Sequence, residues 1–361
     1  MPQPDVLLEV KGLKTHFFLD EGVVRAVDGV NLTLPRGKTV CVVGESGCGK
    51  SMTARSVLGL IEPPGKVVDG NIWWSPSVDR APAAMTGNGA PIDLAALDRR
   101  SERLRQIRGK DIAMIFQEPM ASLSPMYTVG DQLTETIRLH LPMNKREARD
   151  HGVSLLRRVG IPRPEQRMDA YPWQLSGGMC QRVMIAIALS CGPSLLIADE
   201  PTTALDVTTQ ARIIDLLAQL QADTGMSMMF ITHDLGVVAE IADEVIVMYL
   251  GTVVEQGSVD QIFHNPKHPY TRALLASIPT MGRGARKRLP TIRGQVPPPL
   301  NRPPGCPYHP RCDLAVAGLC DTADPPTVEF SDGHRTRCVL HDPQTLREHE
   351  ERMVRTAQED T

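Results

Sequence analysis

Residues 39–51 read TVCVVGESGCGKS, and this stretch decides the fold. Thr39–Val43 is a short apolar, β-branched run of buried-strand type. It passes without a spacer into a glycine-rich loop, and from Ser51 to Leu60 the pattern turns helical. The loop is Gly44, Glu45, Ser46, Gly47, Cys48, Gly49, Lys50 and Ser51. It fits G-x-x-x-x-G-K-S/T in the strand, loop, helix setting that gives the pattern meaning. Its glycines let backbone N–H groups close around phosphate oxygens, and the start of the helix adds positive potential. Lys50 is placed to reach the β- and γ-phosphates of ATP and Ser51 to ligate Mg²⁺, with Met52 ending the nucleotide-binding stretch.

Working outward, Ser194–Glu200 reads SLLIADE, a buried-strand run ending in two carboxylates. Alone, two acids after a strand make an ordinary loop start. Beside a phosphate loop, Asp199 is placed to hold the metal shell and Glu200 to polarise a water for in-line attack on the γ-phosphate. His233 closes another apolar run, in FITHD, where an imidazole can hydrogen-bond the γ-phosphate or the attacking water. Gln117, in IFQEP, follows a short β run, and its amide can contact Mg²⁺ or that water while the segment beyond it moves with a partner. The discriminating signal is LSGGMCQR, Leu175–Arg182. Ser176, Gly177 and Gly178 stand at a helix start, so free N–H groups and a hydroxyl present a second anion site in the same chain. With two such sites on opposite sides of one domain, the economical arrangement is a head-to-tail pair in which each ATP is clamped by two chains.

The bulk numbers set limits. A chain of 361 residues exceeds the size at which a single core stops growing, about 250–300 residues, so one large domain with an appendage is expected. A net charge of −3 gives no field favouring nucleic acid. The opening MPQPDVLLEV is not an export signal and no run reaches the roughly 18 apolar residues of a membrane span, which places the chain in the cytosol. There the eight cysteines are expected as thiols.

The α/β core runs to about residue 255, with strands at 6–10, 39–43, 194–199 and 226–232 and a hairpin over 244–255 turning at Leu250-Gly251. Residues 73–100 read as an irregular surface insertion, and a helical subdomain is inserted at about 120–190. Residues 256–361 differ in composition and read as a C-terminal extension.

GESGCGKS, Gln117, LSGGMCQR, SLLIADE, the ALD segment Ala204–Asp206 and His233 together resemble the nucleotide-binding domain of ABC transporters, over roughly residues 5–255. The resemblance implies a P-loop NTPase fold of the ABC type and an ATPase coupled to transport. It makes Gln117 a further Mg²⁺ contact, Gln181 part of the signature facing the partner's ATP, Asp206 a residue of the loop crossing the dimer interface, and Phe17 the aromatic stacking on adenine, with Phe18 adjacent. Cys48 and Cys180 depart from the commoner residues of the pattern without removing a catalytic group.

The tail, NPKHPYTRALLASIP followed by a proline-rich four-cysteine segment, resembles the C-terminal extension of ATPases from oligopeptide and dipeptide importers. The implied partners are a second ABC ATPase subunit, two membrane permease subunits and an extracytoplasmic substrate-binding protein, with this chain peripheral on the cytoplasmic face of the inner membrane. Relatives with that extension also move nickel or short oligosaccharides, which leaves the cargo open. A soluble ABC ATPase acting on DNA or ribosomes is the alternative from another class, and such proteins carry a long coiled coil or two fused cassettes, neither of which is present.

Cys306, Cys312, Cys320 and Cys338 form C-x5-C-x7-C-x17-C. Four thiolates can encase Zn²⁺ or an iron–sulfur cluster, and free thiols are the third reading. Zinc knuckles normally show C-x2-4-C pairs, which are missing, so the wide spacing suits a cluster better. The resemblance implies a 4Fe–4S cluster.

Overall fold

The computed structural model describes residues 5–76, 90–203, 205–278 and 291–349. Residues 77–89 of the 73–100 insertion and Ala204 of the ALD segment lie outside the described residues, while the two ends of the insertion are not irregular, since Trp73 and Trp74 pair as strand with Asp93 and Ile92.

Twelve strands are found among the described residues: β1 (Val6–Leu19), β2 (Gly22–Pro35), β3 (Thr39–Val43), β4 (Gly65–Trp74), β5 (Ile92–Asp93), β6 (Ile112–Ile115), β7 (Leu195–Asp199), β8 (Ser227–Ile231), β9 (Glu244–Tyr249), β10 (Thr252–Ser258), β11 (Thr327–Glu329) and β12 (Arg335–Arg337). One sheet is antiparallel in the order β2-β1-β4-β5, and the other is eight-stranded in the order β11-β12-β10-β9-β3-β8-β7-β6. From β6 to β9 the second sheet is parallel, because helical crossovers connect its strands.

Parallel strands are covered on both faces, and their side chains alternate between two cores. Cys41, Val43, Leu196, Ala198, Met228 and Phe230 join helices Val129–His140, Gly177–Leu189 and Val207–Thr224 in one core. Val40, Val42, Leu195, Ile197, Met229 and Ile231 point the other way, against helix Lys50–Val57 and the antiparallel sheet. Because both faces are packed, the carboxyl ends of these strands are the part of the sheet left to carry loops, and that edge holds Gly44, Glu200 and His233.

The β9–β10 turn falls at Leu250-Gly251, where φ values of 41° and 79° are the left-handed pair a two-residue hairpin requires. The helical subdomain lies between β6 and β7, with helices Val129–His140, Lys145–Arg158, Pro164–Arg167 and Gly177–Leu189. β1 runs on well past residue 10, and β2 pairs with it along its length.

The extension joins the core sheet itself. β12 pairs with β10 through Glu255↔Thr336 and Gln256↔Arg335, and β11 pairs with β12. Side-chain contacts fasten it as well. Arg302 meets Asp28 of β2 at 2.5 Å, and fully buried His334 donates from Nε2 to fully buried Glu255 at 2.8 Å. Glu255 also accepts the N–H groups of Lys267 and His268, at 2.6 and 2.9 Å, so its charge is spread over three donors.

Candidate functional site

Two glycines of the 44–51 loop are required by their surroundings. Gly44 has φ 150° and Gly49 has φ 101°; a Cβ at the first would collide with the Met248 carbonyl and at the second with the Ala26 carbonyl. The loop thus lies against β9 and β2 and heads helix Lys50–Val57. Lys50, only 4% exposed, donates to the carbonyls of Gly44 at 2.8 Å and Glu45 at 3.2 Å, which keeps its ammonium inside the curl of the loop. Cys48 Sγ is 3.8 Å from that ammonium, and burial raises the thiol's pKa against the opposing pull of Lys50.

Ser51 Oγ donates to Asp199 Oδ1 at 2.8 Å, which brings two of the three expected Mg²⁺ ligands together, while the third, Gln117, donates to Glu200. Burial raises the Asp199 carboxyl, with the Ser51 hydrogen bond working against it. A divalent cation there would compensate that buried charge and compete with the proton.

Three of the expected catalytic side chains converge on one oxygen. Glu200 Oε2 accepts from Gln117 Nε2 at 3.1 Å and lies 3.5 Å from His233 Nδ1. A fourth group, Thr203, donates to the same oxygen from Oγ1 at 2.9 Å. Sequence reasoning missed Thr203, although its place three residues after the second carboxylate was a usable signal. Glu200 itself sits at φ 47°, a left-handed conformation costing a non-glycine residue roughly 1–3 kcal/mol, while its N–H bonds to the Ile231 carbonyl at 2.9 Å. The chain turns sharply off β7 at this point and the neighbouring strand holds the turn in place.

Phe17 lines an open groove with Met52, Arg55, Leu60 and Phe116, and its ring fills the space where a Cβ at Gly65 would stand. The Phe18 ring is exposed and already faces an ammonium, with Lys66 Nζ 4.8 Å from its centroid. Phe17 is therefore the aromatic beside the helix that follows the phosphate loop.

Ser176 caps helix Gly177–Leu189, its Oγ accepting the Met179 N–H at 3.3 Å. Ser176 and Gly177 are exposed, and space is open around Gly177. Gln181 is not brought to that surface: it is 2% exposed, and its Nε2 is buried without a hydrogen-bond partner. Asp206 caps the next long helix, Val207–Thr224, accepting from Thr209 N and Oγ1 at 2.9 and 2.7 Å, and these bonds lower its pKa.

Cys306, Cys312, Cys320 and Cys338 line one small cavity of about 20 Å³, with His268, Tyr308 and His309. Burial pushes the Cys306 and Cys338 thiols up to about 11. Among the described residues, however, no group of three or more His, Cys, Asp or Glu side chains could hold a metal ion. The expectation of a 4Fe–4S cluster, or of Zn²⁺ in its place, is therefore not supported by the geometry: the thiols share a cavity without forming a ligand shell. His268 is 1% exposed, and its Nδ1 accepts the Tyr270 N–H at 3.1 Å. Burial holds its pKa down at about 3, so the neutral ring carries its proton on Nε2, which is buried and unpartnered.

Comparison with known proteins agrees with this geometry. The "ABC transporter" family model matches residues 27–203, and the "Oligopeptide/dipeptide transporter, C-terminal region" model matches 254–320. The chain is 49% identical over 337 residues to the oligopeptide transport ATP-binding protein AppD of Bacillus subtilis, covering 93% of this chain and 97% of the relative. It is 46% identical over 333 residues to the dipeptide transport ATP-binding protein DppD of Escherichia coli, covering 92% and 96%. Among solved structures, a dimeric post-hydrolysis state of the ATP-binding cassette MJ0796 bound to ADP and Pi matches with TM-score 0.59 at 27% identity, over 70% of this chain and 99% of that one. The cbiO1 protein of Clostridium perfringens, part of the ABC transporter complex cbiONQ, matches with TM-score 0.57 at 27% identity, over 72% and 92%.

Proposed function

The chain belongs to the ABC transporter family, as an ATPase subunit of its peptide and dipeptide importer branch, and from that premise we propose how its residues divide the work. The 44–51 loop and Met52 bind the phosphates of ATP, Phe17 stacks on the base, and Ser51, Asp199 and Gln117 hold Mg²⁺. Glu200 takes the proton of the attacking water, His233 contacts the γ-phosphate, and Gln117 reports the state of the site to the segment after it. The observation that carries this is the meeting of Gln117, Thr203 and His233 at Glu200 Oε2, on the same sheet edge as the Ser51–Asp199 pair.

Ser176–Gly178 serve the nucleotide of a second ATPase subunit, and Asp206 lies at the shared interface. An exposed helix start is what such a clamp needs, and the MJ0796 cassette it resembles is dimeric. Residues 1–255 form the nucleotide-binding domain and 256–361 the importer-type extension. No described helix is long and apolar enough to cross a membrane, so translocation falls to separate permease subunits fed by a binding protein, with this chain on the cytoplasmic face of the inner membrane. Met120, Met126 and Tyr127, all exposed just beyond Gln117, suit contact with such subunits. The cargo is peptide. The test is to isolate the chain from native membranes, identify its partners by mass, and ask whether peptide stimulates ATPase activity. Recovery without any membrane subunit would overturn the transport reading.

A further inference from the structure

The loop that binds the phosphates is held from outside the nucleotide-binding domain. Glu45 points its carboxylate away from the loop, into a bidentate pair with Arg311 of the extension, with Nη1–Oε2 2.6 Å and Nη2–Oε1 3.1 Å. Only 4% of the Arg311 side chain is exposed. All three guanidinium nitrogens are engaged: Nη1 also reaches the Tyr249 hydroxyl at 3.2 Å, Nε donates to the Arg293 carbonyl at 2.8 Å, and its centre lies 5.8 Å and 5.9 Å from the Tyr249 and Tyr308 ring centroids. Burial works against its charge, and the Glu45 and Tyr249 contacts more than offset this. A second grip comes from Tyr270, whose hydroxyl oxygen accepts the Glu45 N–H at 2.9 Å. Tyr249, Tyr270 and Tyr308 pack edge-on and tilted, with centroids 4.7–5.3 Å apart, so both grips rest on a stiff aromatic block.

We propose that Arg311 and Tyr270 are positioning residues for ATP: through Glu45 they fix the curl of the phosphate loop, so that its N–H groups face the phosphates before nucleotide arrives. Fixing a loop in its binding conformation raises affinity by removing the ordering cost from the binding step. The HPY segment then has a role for each end, His268 capping its helix beside the cysteine cavity and Tyr270 reaching the loop. Arg311 precedes Cys312 directly, so the packing of that cavity bears on the loop through one peptide link.

The inference rests on the ATPase reading, and the experiment separates the two. MgATP affinity of the full-length chain is measured by calorimetry for the wild type, Arg311→Ala, Glu45→Ala, the double variant, Tyr270→Phe and Arg302→Ala, with thermal unfolding run beside each. Arg302 is the control, since its pair with Asp28 also fastens the extension but does not touch the loop. Arg311→Ala and Glu45→Ala are each expected to weaken MgATP about tenfold, the factor that corresponds to 1.4 kcal/mol. The double variant should be no weaker than either single one, Tyr270→Phe should show a smaller loss, and Arg302→Ala should keep wild-type affinity. Wild-type affinity in Glu45→Ala, or an equal loss in Arg302→Ala, would overturn the proposal. Should Arg311→Ala fail to fold, Glu45→Ala still decides. A wild-type chain that does not bind MgATP would refute the ATPase reading instead.

Discussion

Replacing Glu200 by Gln is the sharpest test of the chemical assignment. The substitution keeps the length and shape of the side chain and one carbonyl oxygen as acceptor. Glu200 Oε2 now serves donors at 3.1 Å from Gln117 and 2.9 Å from Thr203, so an amide oxygen can keep at least one of them, and the local cost is about 1–2 kcal/mol. None of that cost falls on the phosphate loop, whose hydrogen bonds, made through Lys50, Ser51, Tyr270 and Arg311, do not involve Glu200. MgATP affinity should therefore stay within about threefold, since 0.7 kcal/mol is already a factor of three. What disappears is the proton acceptor. General-base catalysis contributes about 10²- to 10⁴-fold, so kcat should fall by that factor, equivalent to ~2.7–5.5 kcal/mol on the barrier. The assay is phosphate release at saturating MgATP, with size-exclusion chromatography to detect an ATP-bound dimer that no longer turns over. A control separates base from geometry: Thr203→Val removes one donor and leaves the carboxylate, which at about 1 kcal/mol is a fivefold effect. Turnover in Glu200→Gln within fivefold of wild type, or equal losses in the two variants, would falsify the assignment of Glu200 as the base.

Ser176→Arg should abolish hydrolysis at the partner's nucleotide and spare MgATP binding by the mutated chain's own loop, which mixing it with chains carrying an inactive phosphate loop will reveal; loss of binding by its own loop would contradict the shared arrangement. Phe17→Ala should weaken ATP several-fold, given the roughly 1–3 kcal/mol typical of base–aromatic stacking, whereas Phe18→Ala should leave affinity unchanged. Glu255→Ala removes the acceptor of His334 and of two backbone N–H groups at a fully buried position, a loss of about 3–5 kcal/mol, and calorimetric unfolding should show a midpoint lowered by roughly 5 °C.

What could be read in the sequence follows from how local each signal is. The phosphate loop, the 244–255 hairpin and the SLLIADE strand are written in consecutive residues, and each falls where it was expected. The β1–β2 pair was only partly legible. Val27 and Val30 are both buried although three apart, because Gly29, at φ 78°, drops out of the pairing between Leu13↔Val30 and Lys14↔Asp28. A bulge of this kind breaks the alternation by which a strand is recognised. The four cysteines were correctly read as belonging together, since they line one cavity, but spacing along the chain did not disclose that their sulfurs form no ligand shell. The Glu45–Arg311 pair spans 266 positions, and nothing local to either residue marks it.

That long-range pair changes how the extension is best understood. A module added for a separate purpose would meet the core through an exposed, polar and replaceable interface. Here it adds two strands to the core sheet, shares the fully buried Glu255–His334 pair, and delivers a buried guanidinium to the second residue of the phosphate loop. Removing Arg311 would leave the partly exposed Glu45 carboxylate beside Tyr249 and Tyr270 without its cation, a cost that water reaching its open side reduces. The nucleotide-binding core of this chain is thus built to be complete only with its extension in place. In the proposed arrangement it also needs a second ATPase subunit, because the exposed helix start at Ser176 and Gly177 is assigned to a partner's nucleotide. In the proposed pairing both dependencies meet at the phosphate loop: Arg311 and Tyr270 hold it through Glu45, and a partner's helix start would close over its nucleotide.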